Sequence, residues 1–386
     1  MRQLSYILII TLLTGCIEEY NQKGIKADFL LVIDGKITNN ESTFNLSRTI
    51  GLSEWTTTSK VEVNDALIYV EKSDGELMQG VNKGHGIYVI QTGTLEEDFK
   101  YRLLVKLGME EYRSEFLSPL FTPEIDSLAP YKRNSGEPIY MCLYTHDPKD
   151  QSKYYIWSYK EIWETQAPLF ANYGFLTSDV GQYFSLDNDQ NTYHCWVRDS
   201  SKTFILGSSE NLSENIIYQK RLNEFPCDND RLSMLYFITV EQNQIRKEAY
   251  DYYSNLQKNI NQAGDIFSPT PVEIKGNIYC VTNTNIPIIG FVDVTTTTKK
   301  ELFIPRNTDL YEEVLQGCSN SITDDPRDQG RYPLPFPPEH PYLNYYIVPD
   351  PFNKYEALFA FPRCVDCRTR EGATKNRPDF WPNDHY

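Results

Sequence analysis

Beyond its first fifteen residues the chain has no run long and apolar enough to cross a bilayer as a helix. Basic residues are in deficit, 37 Lys and Arg against 53 Asp and Glu, for a formal charge of −16. That balance is a poor electrostatic match for nucleic acid and for anionic lipid surfaces. The acidic residues are dispersed, which reads as solubility rather than a focused ligand field. Histidine is scarce: only His85, His146, His194, His340 and His385 occur. No His-Glu-x-x-His pair, nucleophile elbow or phosphate loop appears, so no catalytic constellation is legible and no enzyme activity, cofactor or metal is expected.

What is present starts at the N-terminus. Arg2 is followed by an apolar run from Tyr6 to Leu13. The run is about half of the ~20 residues a spanning helix needs, and it fits the h-region of a secretory signal. The run ends in Leu12-Leu13-Thr14-Gly15-Cys16, which resembles the bacterial lipobox. That resemblance implies cleavage after residue 15 and acylation of the Cys16 thiol, and several acyl chains on one residue give stable anchoring. Residues 16–26 then form a lipidated linker. Its Glu18-Glu19 pair resembles the surface-export signal of Bacteroidota lipoproteins. The expected location is the outer membrane, lipid-anchored and facing outward.

The rest is aromatic and β-leaning, with 13% aromatic residues and 28 Tyr, and its length makes two domains the prior. Short apolar stretches such as Phe29–Ile33, Ala66–Val70, Gly86–Ile90 and Tyr101–Leu107 alternate with turn residues such as Ser73-Asp74-Gly75. The segments ALIYVEKSDGEL, GHGIYVIQTG and YRLLVK resemble immunoglobulin-like domains related to carboxypeptidase regulatory domains. The fold expectation is mainly β: an immunoglobulin-like β-sandwich over 27–121, then a larger β-rich domain over 131–386 with one amphipathic helix. Two prolines make 122–130 read as the linker. Strands are expected at Ile139–Tyr144, Tyr154–Tyr159, Lys202–Leu206 and Ser233–Gln242. The helix spans Gln244–Gln262, with Ile245, Ala249, Tyr252, Leu256 and Ile260 as its core stripe and Gly264 as its stop.

Setting Cys16 aside leaves an odd number of the eight cysteines, so at least one thiol stays unpaired within the chain. Cys142, in an alternating apolar stretch, is the candidate. Cys364-Val365-Asp366-Cys367 has Cys-x-x-Cys spacing. A redox pair would need a helix N-terminus, and a zinc knuckle would need two more ligands, such as Cys318 or His340. Structural disulfides are preferred, within the pair or to other cysteines, with Cys195, Cys318, Cys364 and Cys367 as candidates stapling a turn-rich tail. Asp187–Asn191 offers oxygens at alternate positions but lacks the glycine and glutamate of a calcium loop, and reads as a surface turn. Residues 332–352 crowd prolines and aromatics into a stiff segment, and Phe336, Tyr342, Tyr345 and Tyr346 are its candidate interface residues.

The second half carries an ordered series: Cys195-Trp196, Ile205 to Ser209, Tyr236 to Gln242, Gly264 to Pro269, Ile289-Gly290-Phe291, Phe303-Ile304-Pro305, Cys364 to Arg368, and Arg377 to Trp381. In this order the landmarks resemble the Bacteroidota outer-membrane lipoproteins of domain-of-unknown-function family 4249, across almost the whole chain after Cys16. Glu371-Gly372-Ala373 keeps one glycine where the family often has two. By analogy with SusD-like lipoproteins, the resemblance implies an accessory of a TonB-dependent, SusC-like outer-membrane barrel, helping to capture its cargo. The other expectations are a free-standing binding or adhesion lipoprotein for glycan or protein, and a hydrolase with an unrecognised site.

Overall fold

The computed structural model describes residues 30–49, 61–170, 191–262, 274–307, 309–312, 318 and 362–383, with short strands at 173–175, 183–185, 348–349 and 357–358. Strands run in order as β1 (Leu31–Gly35), β2 (Asn40–Arg48), β3 (Val61–Glu62), β4 (Leu67–Lys72), β5 (Leu77–Gly84), β6 (Ile87–Gly93), β7 (Tyr101–Leu107) and β8 (Glu110–Ser114). Then come β9 (Ile125–Tyr131), β10 (Ile139–His146), β11 (Tyr154–Gln166), β12 (Tyr173–Phe175), β13 (Tyr183–Ser185), β14 (His194–Ser200), β15 (Ile205–Ser208), β16 (Ile216–Phe225) and β17 (Leu235–Gln244). Helix α1 (Lys247–Gln262) follows, and then β18 (Ile278–Cys280), β19 (Ile288–Ile289) and β20 (Thr297–Pro305). The fold is mainly β, as expected. Among the described residues no helix is long and apolar enough to cross a membrane.

The described chain divides into two compact units, one ending at Ser118 but also holding Lys275–Val292, the other holding Pro119–Ile274 and the residues from Asp293. The first unit is therefore discontinuous, where the sequence suggested one segment over 27–121. Its strands join into one ten-stranded sheet, ordered β18-β8-β7-β4-β5-β6-β2-β1-β19 with β3 on β2. An immunoglobulin-like sandwich has two separate sheets, and hydrogen bonding here connects them. The connection is β5, which changes partners midway: Leu77–Gln79 pair with β4 and Gly80–Gly84 with β6. Gly80 marks the corner, because a Cβ there would stand 2.5 Å from Ile68 Cγ2 and 2.9 Å from Ile90 Cγ1. The sheet thereby curls into a nearly closed barrel over a core that includes Phe44, Leu46, Ile68, Val70, Ile90 and Val105.

Local chemistry sets the turns. Asp74-Gly75 makes the β4–β5 hairpin, with Gly75 at φ +96° and Asp74 Oδ1 accepting from Glu76 N. Tyr88 is buried, and its hydroxyl accepts from Ala66 N and donates to Val63 O. Tyr101 is buried too, and its hydroxyl accepts from Glu96 N. Tyr88 and Tyr101 are thus core rings whose polar tips fix neighbouring loops.

The edges of this sheet are supplied from the distant segment. β18 pairs antiparallel with β8 at one edge, and β19 pairs parallel with β1 at the other. The segment is folded into a clip by Asn277, whose side chain donates to Val292 O and accepts from Val292 N, both at 2.8 Å. Gly276 lies so close to Gly290 that an added Cβ would stand 1.7 Å from its carbonyl oxygen.

The second unit has a sheet ordered β14-β11-β17-β20, with β15 also on β11, and a three-stranded sheet ordered β16-β10-β9. β11 is 13 residues long and carries three neighbours along its length. Their apolar sides share a core of Ile139, Met141, Leu143, Trp157, Ile217, Tyr236, Ile238 and Val240 among others. The segment 122–130, expected to be a linker, is instead mostly strand β9. It occupies the edge of its sheet, where Pro130 removes no needed donor from a second partner. The strand expected at Lys202–Leu206 runs from Ile205 to Ser208. Helix α1 begins at Lys247, its lead-in fixed by Asp293, which accepts from Arg246 N at 2.9 Å and pairs with the guanidinium. Ile245, Ala249 and Tyr252 are buried, whereas Ile260 is 61% exposed, so the core stripe ends a turn early. Gly264 lies outside the described residues.

Candidate functional site

The C-terminal strap shows what the Cys-x-Asp-Cys-Arg motif does. Cys195 bonds Cys367, and Cys318 bonds Cys364. All four candidate cysteines are paired, but Cys364 and Cys367 go to different partners rather than to each other. Neither is left as a thiolate for redox exchange or zinc. Asp366 accepts from Arg368 N at 2.9 Å and receives the Arg368 guanidinium, capping the short 3-10 turn over Cys367–Thr369. The motif is a staple and a turn. Cys142, Cys227 and Cys280 are free and buried, and burial pushes the Cys142 and Cys227 thiols up from their usual range. The single-thiol candidate Cys142 is free as expected, with two companions.

Beyond the staple, Thr374 and Trp196 exchange backbone hydrogen bonds. Trp381, 3% exposed, packs with Trp196, Leu235 and Phe237, and its indole N–H donates to Glu164 Oε2 at 3.0 Å. Cys195-Trp196 is thus a core anchor for the strap. Glu164 also pairs through Oε1 with His194 Nδ1 at 2.8 Å.

A second polar cluster surrounds Glu161. Its Oε2 accepts from Tyr236 OH at 2.6 Å and Asn223 Nδ2 at 2.9 Å, while Oε1 pairs with Arg231 Nη2 at 2.9 Å. The Arg231 guanidinium lies 4.2 Å from the Trp163 ring centroid and also reaches Asp199. Burial first, then the Glu161 charge, drives the Tyr236 phenol well above its ordinary value. Glu161 is 1% and Tyr236 0% exposed, so this buried cluster ties β11 to β14, β16 and β17.

The described histidines face carboxylates: His85 toward Glu62, His146 toward Asp126, and His194 toward Glu164. Among the described residues no group of three or more His, Cys, Asp or Glu is gathered to hold a metal ion. Cys16, Glu18, Glu19, Phe336, Tyr342, Tyr345 and Tyr346, and residues 187–190 of the expected Asp187–Asn191 turn, lie outside the described residues, while Asn191 Oδ1 accepts from Tyr193 N at 2.8 Å.

A concave site of the second unit lies between β15, β16 and α1. It has a volume of about 350 Å³. Phe204, Leu206 and Tyr250 give it apolar walls; Ser254 and Gln257 reach in from α1; Lys220 enters from β16. Gln257 Nε2 donates to Phe204 O at 3.2 Å, joining helix to strand across the wall. Gly207 keeps β15 close to Trp157, since a Cβ there would stand 2.5 Å from the indole ring. Trp157 is in turn fixed by its N–H bond to Gln242 Oε1 at 2.8 Å. The sequence signalled Ile205 to Ser209 as a landmark but gave no sign that Lys220 faces it.

The chain matches a family model, Domain of unknown function (DUF4249), over residues 17–301. It belongs to that family. No curated protein matches it. In this DUF4249 chain the match covers the ten-stranded and three-stranded sheets and the concave site, and stops inside β20 of the remaining large sheet. The strap motifs Cys364–Arg368 and Arg377–Trp381 lie beyond the matched residues, as does Phe303-Ile304-Pro305, so the family match is shorter than the landmark series. The Cys195–Cys367 bond consequently joins a matched residue to an unmatched one.

Proposed function

We propose that this DUF4249 chain is a lipid-anchored outer-membrane protein that faces outward and serves a TonB-dependent, SusC-like transporter as a non-enzymatic accessory, capturing cargo or acting as a lid. One combination carries the reading: a lipobox-like Gly15-Cys16 with Glu18 and Glu19 behind it, ahead of a chain that holds two disulfides. Disulfides persist in oxidising compartments, and acylation of Cys16 supplies a membrane anchor without a spanning helix. A rigid β scaffold with a concave site suits capture. That site belongs to one unit and needs no second chain, which favours the alternative of a free-standing binding lipoprotein.

The test is purification of the tagged, lipidated protein from its own outer membrane in mild detergent after crosslinking, with mass spectrometry of what accompanies it. A stoichiometric barrel of transporter size supports the accessory role. The protein recovered alone moves the assignment to the free-standing reading. A Cys16→Ala variant that still fractionates with the membrane would remove the lipid anchor from both.

A further inference from the structure

We infer that the concave site between β15, β16 and α1 binds a small organic anion, a carboxylate on a ring-sized body, with Lys220 as the charge partner. The argument starts from an unbalanced cation. Lys220 is half-buried, and among the described residues no carboxylate pairs with it. Its nearest electrostatic support is the Trp157 ring, whose centroid is 5.9 Å from Nζ, a long cation–π contact. Burial alone pulls its pKa down from the usual lysine range. Elsewhere in this unit partly buried cations are matched: Lys132 by Glu312, Arg231 by Glu161 and Asp199, Arg246 by Asp293. A cation left uncompensated in a concavity is stabilised by an anion that arrives from solution.

The walls describe the rest of the ligand. Phe204 and Leu206 give an apolar face for a ring, while the Ser254 hydroxyl and the Gln257 carboxamide, the latter already engaged with Phe204 O, stand beside it. Lys258 adds a second positive charge at the rim. A volume of about 350 Å³ accepts a body of one or two rings, not a polymer end to end. The inference gives the capture role a ligand class and rests on that reading only for its biological meaning. Binding to the isolated chain and co-purification with a barrel fail independently.

Titration calorimetry on the full oxidised chain tests it with two matched pairs of probes, glucuronate against glucose and benzoate against benzyl alcohol. At least one anion is expected to bind at least about tenfold tighter than its neutral counterpart. Lys220→Met keeps the aliphatic stem against Trp157 and removes the charge, and is expected to bring that anion down to the neutral probe's level. Ser254→Trp fills the cavity from α1 without touching the charge, and is expected to abolish binding as well. Equal binding within both pairs, no binding by either anion at millimolar concentration, or unchanged anion affinity in a folded Lys220→Met or Ser254→Trp protein overturns the inference. Inorganic phosphate binding as tightly as the best carboxylate overturns the organic body.

Discussion

Trp381 Nε1 donates a 3.0 Å hydrogen bond to Glu164 Oε2 across 217 positions of sequence, and Glu164 is fully buried. The strap is therefore held by packing and a charged acceptor as well as by disulfides. Trp381→Ala is expected to cost about 3–5 kcal/mol of unfolding free energy through the emptied indole site. Trp381→Phe is expected to cost less, because its ring refills much of the site that alanine leaves empty. Urea unfolding of the oxidised protein measures both.

The disulfide pattern predicts a specific peptide map. Non-reducing digestion should yield the pairs Cys195–Cys367 and Cys318–Cys364, with Cys142, Cys227 and Cys280 alkylated only after denaturation. Losing the bond that spans 172 positions should destabilise by about 2–5 kcal/mol. A map joining Cys364 to Cys367 would contradict the strap as described.

Removing both members of the buried ion cluster should cost less than the two single removals added together. Arg231→Met leaves the Glu161 carboxylate without its cation, at a cost of about 3–5 kcal/mol. The double variant Arg231→Met with Glu161→Leu should cost less than the sum of the single changes, a coupling that a double-mutant cycle reads directly.

Acid sensitivity has a named source in Glu312. Lys132 Nζ, then Gly136 N and Ser135 Oγ, donate to it and hold its pKa down at about 2, from an ordinary 4.5. A depressed carboxylate contributes stability above its unfolded pKa and loses it as pH falls through the folded one. Glu312→Gln should therefore lower Tm at neutral pH, with the difference from wild type shrinking between pH 4.5 and about 2. A constant difference across that range would remove Glu312 from the acid response.

The clip makes a steric prediction. Gly276→Ala drives a Cβ into the Gly290 carbonyl at 1.7 Å, so the hairpin of 275–292 must open or shift. Hydrogen exchange should then rise in β8 and β1, the two strands it pairs, ahead of the second unit.

Much of the architecture could be read in advance because its signals are local. Alternation and Asp74-Gly75 disclosed the β4–β5 hairpin, and the spacing of Ile245, Ala249 and Tyr252 disclosed α1. What stayed hidden depends on distant pairing. Pro123 and Pro130 suggested a linker because nothing in 122–130 reveals that β10 lies beside it. Ile278–Cys280 and Ile288–Ile289 are too short to show that they finish a sheet begun at residue 31. The four disulfide cysteines were legible by type, yet Cys-x-x-Cys spacing could not say that each would reach a different partner. Lys220 carried no signal at all, since its position depends on where Trp157, Gly207 and α1 meet.

The clip also bears on how the chain reaches its native state. A ribosome delivers residues 31–114 long before 278–289, so the first sheet waits with both margins unpaired while residues 115–277 are still being made. Its final closure is a late, long-range event, and a fragment cut at Ser118 carries the same two open margins permanently. Such a fragment should self-associate edge to edge, and the two units are better regarded as one interleaved folding problem than as beads on a string.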